Sequence, residues 1–324
     1  MIKNVPDAEE MKQTALWLFF NAWEQILHII GLLLAEEFGS TIVNGHIEPS
    51  SLFKDEMEEF IDEVQPELRL AYVLLQQSHE LGLKAKICAV NPFLLFLGSD
   101  VRSWAKSDAD FSESRTLDAI DLIPVVNSVC SKPVSDNFKS CYETIRGDRN
   151  KIYHLGVFKN RLDPLVLLGI TIEQYPELFS GSSYIRDRLG SFTRHTNKYI
   201  MFYNKRTTEP SLLLAEIAQL YKIVSSKQFK SLFGFSKQTR RYICHTCCYE
   251  AYIYDNGLSI DDIGTATLNA DGSAVFCHVC QKEFNVYRSP CSDVNCKSDV
   301  ISNNPKYLNR CHVCDVELNR QATS

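Results

Sequence analysis

Nine of the chain's twelve cysteines fall between Cys244 and Cys314, and their spacing suits metal binding. Cys244-His-Thr-Cys247 and Cys277-His-Val-Cys280 are two C-x2-C pairs with 29 residues between them. Together they supply the four thiolates that tetrahedral zinc prefers. A second quartet follows, Cys291-x4-Cys296 and Cys311-x2-Cys314, with 14 residues between its halves. A site closed by four thiolates leaves no position for a reacting water, so the two expected zinc ions are structural. His245, His278 and His312 each follow the first Cys of a pair and are expected to point outward as non-ligands. Cys248 is expected to be a small residue in a turn.

Both quartets resemble zinc ribbons, the first full-sized and the second short. Such a module is too small for a core of its own, so metal binding supplies its folding energy.

A second group of chemically capable residues reads Glu143-Thr-Ile-Arg146-Gly-Asp-Arg149-Asn150-Lys151-Ile-Tyr153-His154-Leu-Gly156. On a helix, Asn150 and His154 share a face and Arg146 extends that stripe one turn back. Arg149 lies about 140° around from His154. Two readings are open from spacing alone: a proton-transferring histidine beside phosphate-binding arginines, or a cationic His154 ending a helix with Gly156 as its stop. His28, His46, His79 and His195 show no partner spacing and are expected to be structural or on the surface.

Arg149-Asn150-x3-His154 is similar to the R-x4-6-H motif of the HEPN superfamily, which commonly carries a polar residue directly after the Arg. The resemblance implies a helical-bundle ribonuclease that dimerises so that two motifs face each other, often acting as a toxin or in defence against phage and foreign RNA. It assigns proton transfer to His154, phosphate charge to Arg149 and orientation to Asn150, with Arg146 and Tyr153 as supports. RNA carries its own nucleophile, the 2′-OH. Cleavage then needs a base, an acid and positive charge on the phosphorane, which these residue types supply.

The elements that must position these groups are mostly helical. Asp7 to Phe38 carries apolar residues at three- and four-residue steps on more than one side, ending at Gly39. An acidic helix starts near Ser50-Ser51 and runs to Val64, Pro66 breaks it, and Glu67 to Leu81 is the next segment. Residues 97 to 118 read as a Ser/Asp-rich insertion. Asn137 to Leu155 is helix-like, Asp163-Pro164 opens another helix, and Pro210 to Phe229 is a long one. From Tyr242 the texture changes to short aromatic and β-branched runs, Tyr249 to Tyr254 and Ala274 to Phe276, between turn residues.

The chain has 324 residues with 45% hydrophobic content, which excludes wholesale disorder. Its net charge of −6 excludes binding nucleic acid by bulk attraction. The charge is uneven: residues 1 to 70 hold four Lys/Arg against fourteen Asp/Glu, and residues 194 to 241 hold ten against two. Within the basic stretch Lys227, Lys230, Lys237, Arg240 and Arg241 lead into the cysteine module, interleaved with Phe229, Phe233, Phe235 and Tyr242. With Arg146 they are the expected RNA contacts. The competing reading is a solvated helix face over a hydrophobic underside.

The expected fold is therefore mainly α: a HEPN-like helical bundle over residues 1–238, followed by small β zinc ribbons over 239–324. The expected function is metal-independent endoribonuclease activity by 2′-OH transesterification, with the ribbons docking RNA or a partner. The alternative is a non-catalytic zinc-ribbon regulator that binds nucleic acid or protein through an inactive helical dimerisation domain. Expected partners are RNA, a second copy of the chain, and an antitoxin or regulatory protein. The apolar surface around Trp17, Phe20, Trp23 and Ile30 adds to the dimer expectation. No signal sequence is visible, and Asn21, Glu24 and His28 interrupt the most apolar segment, so the reading is a cytoplasmic protein without membrane contact.

Overall fold

A computed structural model describes residues 3–35, 39–43, 46–96, 110–111, 115–155, 160–192, 208–253 and 264–318; the side chains of 153–155 and 250–253 lie outside that description. Most of the Ser/Asp-rich insertion and His195 fall outside the described residues as well. The chain parts into two compact units, Met1–Ser182 and Ser183–Ser324.

In the first unit, α1 (Ala8–Leu33) opens at Asp7, whose carboxylate accepts the Glu10 amide at 2.9 Å. Glu9 and Glu10 in the first turn complement the helix dipole. α1 is long and apolar enough to cross a membrane, and 56% of its most apolar window is buried within the protein. Phe20, Trp23 and Ile30, which suggested a dimer surface, are all buried in this unit, and Trp17 is 40% exposed. An antiparallel hairpin of β1 (Thr41–Val43) and β2 (His46–Glu48) follows.

Next come α2 (Lys54–Glu63) and α3 (Gln65–Val90). Pro66 both ends α2 and begins α3, since a missing N–H costs nothing in a helix's first turn. α3 is the central helix, contacting α1, α2, α4 (Leu122–Val129), α5 (Asp136–Leu155) and α6 (Pro164–Leu178). It runs nine residues past the expected end at Leu81. Gly82 is internal to it because a Cβ there would lie 2.6 Å from Leu178 Cδ1, so the glycine lets α6 come close. Phe19 of α1 meets Tyr175 and Phe179 at ring distances of 5.4 and 5.6 Å, which seals the α1–α6 contact.

The second unit begins with α7 (Tyr184–Phe192), α8 (Glu209–Ile223) and α9 (Ser226–Phe233). Buried Glu216 on α8 accepts from the Tyr184 hydroxyl at 2.6 Å and pairs with Arg188 at 2.8 Å, tying α7 to α8. The expected single helix over Pro210–Phe229 is two helices. Ser225 and Gln228 form a capping box that starts α9, and Gly234, at φ +78°, ends it.

The change of texture near residue 238 falls inside this unit, where α9 gives way to a five-stranded antiparallel sheet in the order β3-β4-β5-β6-β7. The strands are β3 (Tyr242–Ile243), β4 (Gly264–Leu268), β5 (Ala274–Cys277), β6 (Glu283–Arg288) and β7 (Val300–Ser302). The aromatic run at 249 is not a strand: His245–Ile253 forms helix α10. The turn between Cys244 and Cys247 seeds it, because the Cys248 amide bonds back to the Cys244 carbonyl at 2.7 Å in the i to i+4 pattern of a helix. The chain is thus mainly helical, followed by an antiparallel β region with two four-Cys clusters.

Candidate functional site

The two clusters are the ones expected from spacing. The sulfurs of Cys244, Cys247, Cys277 and Cys280 all lie within 4.8 Å of one another, as do those of Cys291, Cys296, Cys311 and Cys314. Contacts of 3.7 Å (Cys244–Cys280), 3.9 Å (Cys247–Cys277), 3.4 Å (Cys291–Cys314) and 3.8 Å (Cys296–Cys311) are too long for disulfides, and every cysteine is a free thiol. A tetrahedral centre with metal–sulfur bonds of about 2.3 Å has sulfur–sulfur edges of about 3.8 Å. Each quartet could therefore hold one metal ion. Hydrogen bonds from Cys244, Cys247 and Cys280 lower the Cys277 thiol below its ordinary range, the direction that favours the thiolate a metal needs.

The pairs at 277–280 and 311–314 share one turn. Gln281 and Asp315, each just past the second Cys, adopt left-handed φ values of +57° and +60°, and their amides return to Cys277 and Cys311 carbonyls at 2.9 and 3.0 Å.

Two of the three histidines beside the quartets do not point outward. His245 and His312 are 1% and 0% exposed and face each other with ring centroids 4.2 Å apart. His312 Nδ1 is 2.8 Å from the Ile243 carbonyl. His245 Nδ1 lies 3.0 Å from Asp315 Oδ1 but at an angle that makes no hydrogen bond. His278 is half-buried, stacked 4.4 Å from Phe235, with Nε2 3.0 Å from the Thr267 hydroxyl. None of the three belongs to a four-Cys cluster. The cysteines outside the quartets, Cys88, Cys130, Cys141 and Cys248, all have thiols pushed up by burial, Cys141 to about 11 and Cys248 to about 12.

On α5, Arg146, Arg149 and Asn150 are half-buried, and His154 is in the helix with its side chain outside the described residues. Arg149 is clamped from α3. Its Nε donates to Gln76 Oε1 at 3.1 Å and its Nη2 pairs with Glu80 Oε1 at 2.8 Å, while Gln76 Nε2 donates to the same Glu80 oxygen at 2.6 Å. One edge of the guanidinium is thus fixed, and Nη1 carries no hydrogen bond among the described residues. Arg146 Nε is buried, also without a hydrogen-bond partner there. Beside them the Tyr72 hydroxyl meets Asp148 at 3.2 Å, and burial together with that carboxylate raises the phenol above its ordinary range.

Gln76 and Glu80 were not among the expected site residues. The available signal was the polar stripe Tyr72, Gln76, Glu80 at four-residue steps along α3. Two cavities of the first unit, about 220 and 360 Å³, are lined by residues near α2 and near the start of α1, and neither is lined by Arg149.

The expected RNA contacts of the basic stretch divide. Lys227, Lys230 and Arg240 are exposed. Lys237 turns inward, its Nζ donating to the Tyr221 and Val224 carbonyls and so capping the end of α8. Arg241 lies 4.0 Å over the Tyr221 ring and donates to the Gly264 carbonyl at 3.3 Å. Phe229, Leu232 and Phe233 form the buried underside of α9.

No protein-family model matches the chain, and neither the curated proteins nor the solved structures give a significant match. The likeness to the HEPN superfamily therefore stands on the Arg149–His154 motif and its helical setting.

Proposed function

We propose that the chain is an endoribonuclease of HEPN type whose two quartets hold structural zinc. The observation that carries this reading is the clamp on Arg149. Gln76 and Glu80 hold one edge of the guanidinium and leave the Nη1 end to meet a phosphate, as a site that neutralises a phosphorane requires.

In the reaction, a base takes the 2′-OH proton, the 2′-oxygen bonds to phosphorus, and the P–O5′ bond breaks as the leaving oxygen receives a proton. His154 serves the proton transfers, and Asn150 orients. Lys227, Lys230 and Arg240 are each exposed, as contacts to an RNA backbone require. Reduced thiols held on zinc suit a reducing compartment, which supports a cytoplasmic protein. A toxin or defence role, a dimer with facing motifs and restraint by a regulatory partner follow from the family likeness.

One observation favours a second reading. The Arg149–Glu80 pair neutralises the arginine, as an inter-helix strut would, in a non-catalytic protein that binds nucleic acid or a partner through its ribbons.

The test is RNA cleavage by wild type, His154→Ala and Arg149→Lys. The expected result is cleavage leaving a 2′,3′-cyclic phosphate, with none at a 2′-deoxy site. His154→Ala should be inactive with its zinc content unchanged. Arg149→Lys should lose at least about a hundredfold, since an ammonium cannot reproduce a clamped fork. Cleavage by His154→Ala at the wild-type rate would sink the nuclease reading and leave the binding reading in its place.

A further inference from the structure

We infer that the two quartets take up metal as one cooperative unit, because each ribbon builds a ligand turn of the other. The inference rests on the reading of both quartets as zinc sites. It does not depend on the nuclease reading.

The first link runs from the second cluster to the first. Ile243 directly precedes the ligand Cys244, and both of its main-chain groups are engaged by one residue, His312. The Ile243 amide donates to the His312 carbonyl at 2.8 Å, and the Ile243 carbonyl lies 2.8 Å from His312 Nδ1. Because a carbonyl only accepts, that nitrogen carries the ring proton. His312 sits inside the pair Cys311–Cys314, so the turn that closes around one ion is also the clamp on the strand that delivers a ligand to the other.

The second link runs the opposite way. β6 begins three residues after the ligand Cys280 and pairs with β7 through Val286–Ser302, Tyr287–Ile301 and Arg288–Val300. Ile301 of β7 is bridged to the ligand Cys311, and the His312 amide donates to the Val300 carbonyl at 3.0 Å. The sheet edge on which the second cluster is registered is therefore ordered by the strand that leaves the first. Between the clusters the buried rings of His245 and His312 cover each other. The two rings belong to different Cys pairs, and Tyr307 between Cys296 and Cys311 also lies against His245 at 5.4 Å.

A chain with one ion bound would have to order both turns and the shared sheet for a single metal. The second ion would then meet a site already built. Ordering borne by the first ligand and spared to the second is positive cooperativity.

The test is native mass spectrometry of the full-length, reduced, metal-free chain titrated with less than two equivalents of zinc. The expected spectrum is dominated by metal-free and two-zinc species, with the one-zinc species well below the half share that independent, equal sites give at half saturation. His312→Ala should raise the one-zinc share toward that statistical level. Cys314→Ser should bind close to no zinc at equimolar zinc, where independent sites would leave one ion. A statistical or dominant one-zinc species in the wild type would overturn the inference, and so would a His312→Ala spectrum identical to it. A chain that stays metal-free in excess zinc would overturn the zinc reading itself.

Discussion

An imidazole with no hydrogen bond on either nitrogen is costly to bury, and among the described residues His79 has none. It is 0% exposed on α3, against the rings of Phe138 and Tyr142 at 5.7 and 6.3 Å. Burial pushes its pKa down to about 3. In the unfolded chain the same group titrates near 6.5, at roughly the free value. As pH falls below that, the unfolded chain takes up a proton that the folded chain refuses, and stability drops by about 1.4 kcal/mol per pH unit until the folded value is reached. The full stability is present above pH ~6.5. His79→Leu should therefore match or exceed wild type at pH 7 in urea denaturation, and should remove a loss of roughly 2 kcal/mol between pH 6.5 and pH 5. An unchanged pH slope in that window would show that another group carries it. At this scale the sequence was legible where partners are near: each quartet is built from local pairs, and the spacing announced it. Gln76 and Glu80 lie 73 and 69 residues before Arg149, and no local pattern states such a meeting.

At the scale of elements, two glycines without steric neighbours should respond in opposite directions. Gly234 holds the left-handed turn at the end of α9, so Gly234→Ala should cost about 1 kcal/mol or somewhat more in chemical denaturation. Gly147 lies within α5 facing open space, and Gly147→Ala should add about 0.5–1 kcal/mol through helix propensity. Helix existence was readable, from apolar periodicity in α1 and from the Asp163-Pro164 start signal in α6. Helix limits were less so. The Ser225–Gln228 capping box splits α8 from α9 within a continuous apolar period, and α3 runs on past Leu81 through Gly82, which packs against Leu178. The run beginning at Tyr249 has strand composition, and the turn at Cys244–Cys247 overrides it by starting a helix.

At the scale of the molecule, a change of composition and a change of packing need not coincide. α7, α8 and α9 have the helical texture of the N-terminal residues, yet they belong to the same compact unit as the ribbons. Limited proteolysis of chelator-treated protein should accordingly leave a resistant fragment ending near Ser182, where Gly181 turns at φ +86°, because α8 loses the support of α10 when the metal leaves. A stable fragment ending near residue 238 would show that these helices stand without the ribbons. The dimer expectation now rests on the family likeness, since Phe20, Trp23 and Ile30 are covered within one chain. Light scattering at micromolar concentration should return twice the 37.0 kDa chain mass if paired motifs form the site. A monomer would count against shared active sites.

The burial of Cys88, Cys130, Cys141 and Cys248 turns the protein into its own metal gauge. Alkylating reagents attack thiolates, and these four thiols are all pushed upward, so they are nearly silent at neutral pH. With a metal ion in each quartet, the eight sulfurs would be silent while capped and would respond once the ion departs. Labels counted on a native sample therefore report which sites have emptied, with Cys248, whose burial depends on the first ribbon, joining the count when that ribbon opens.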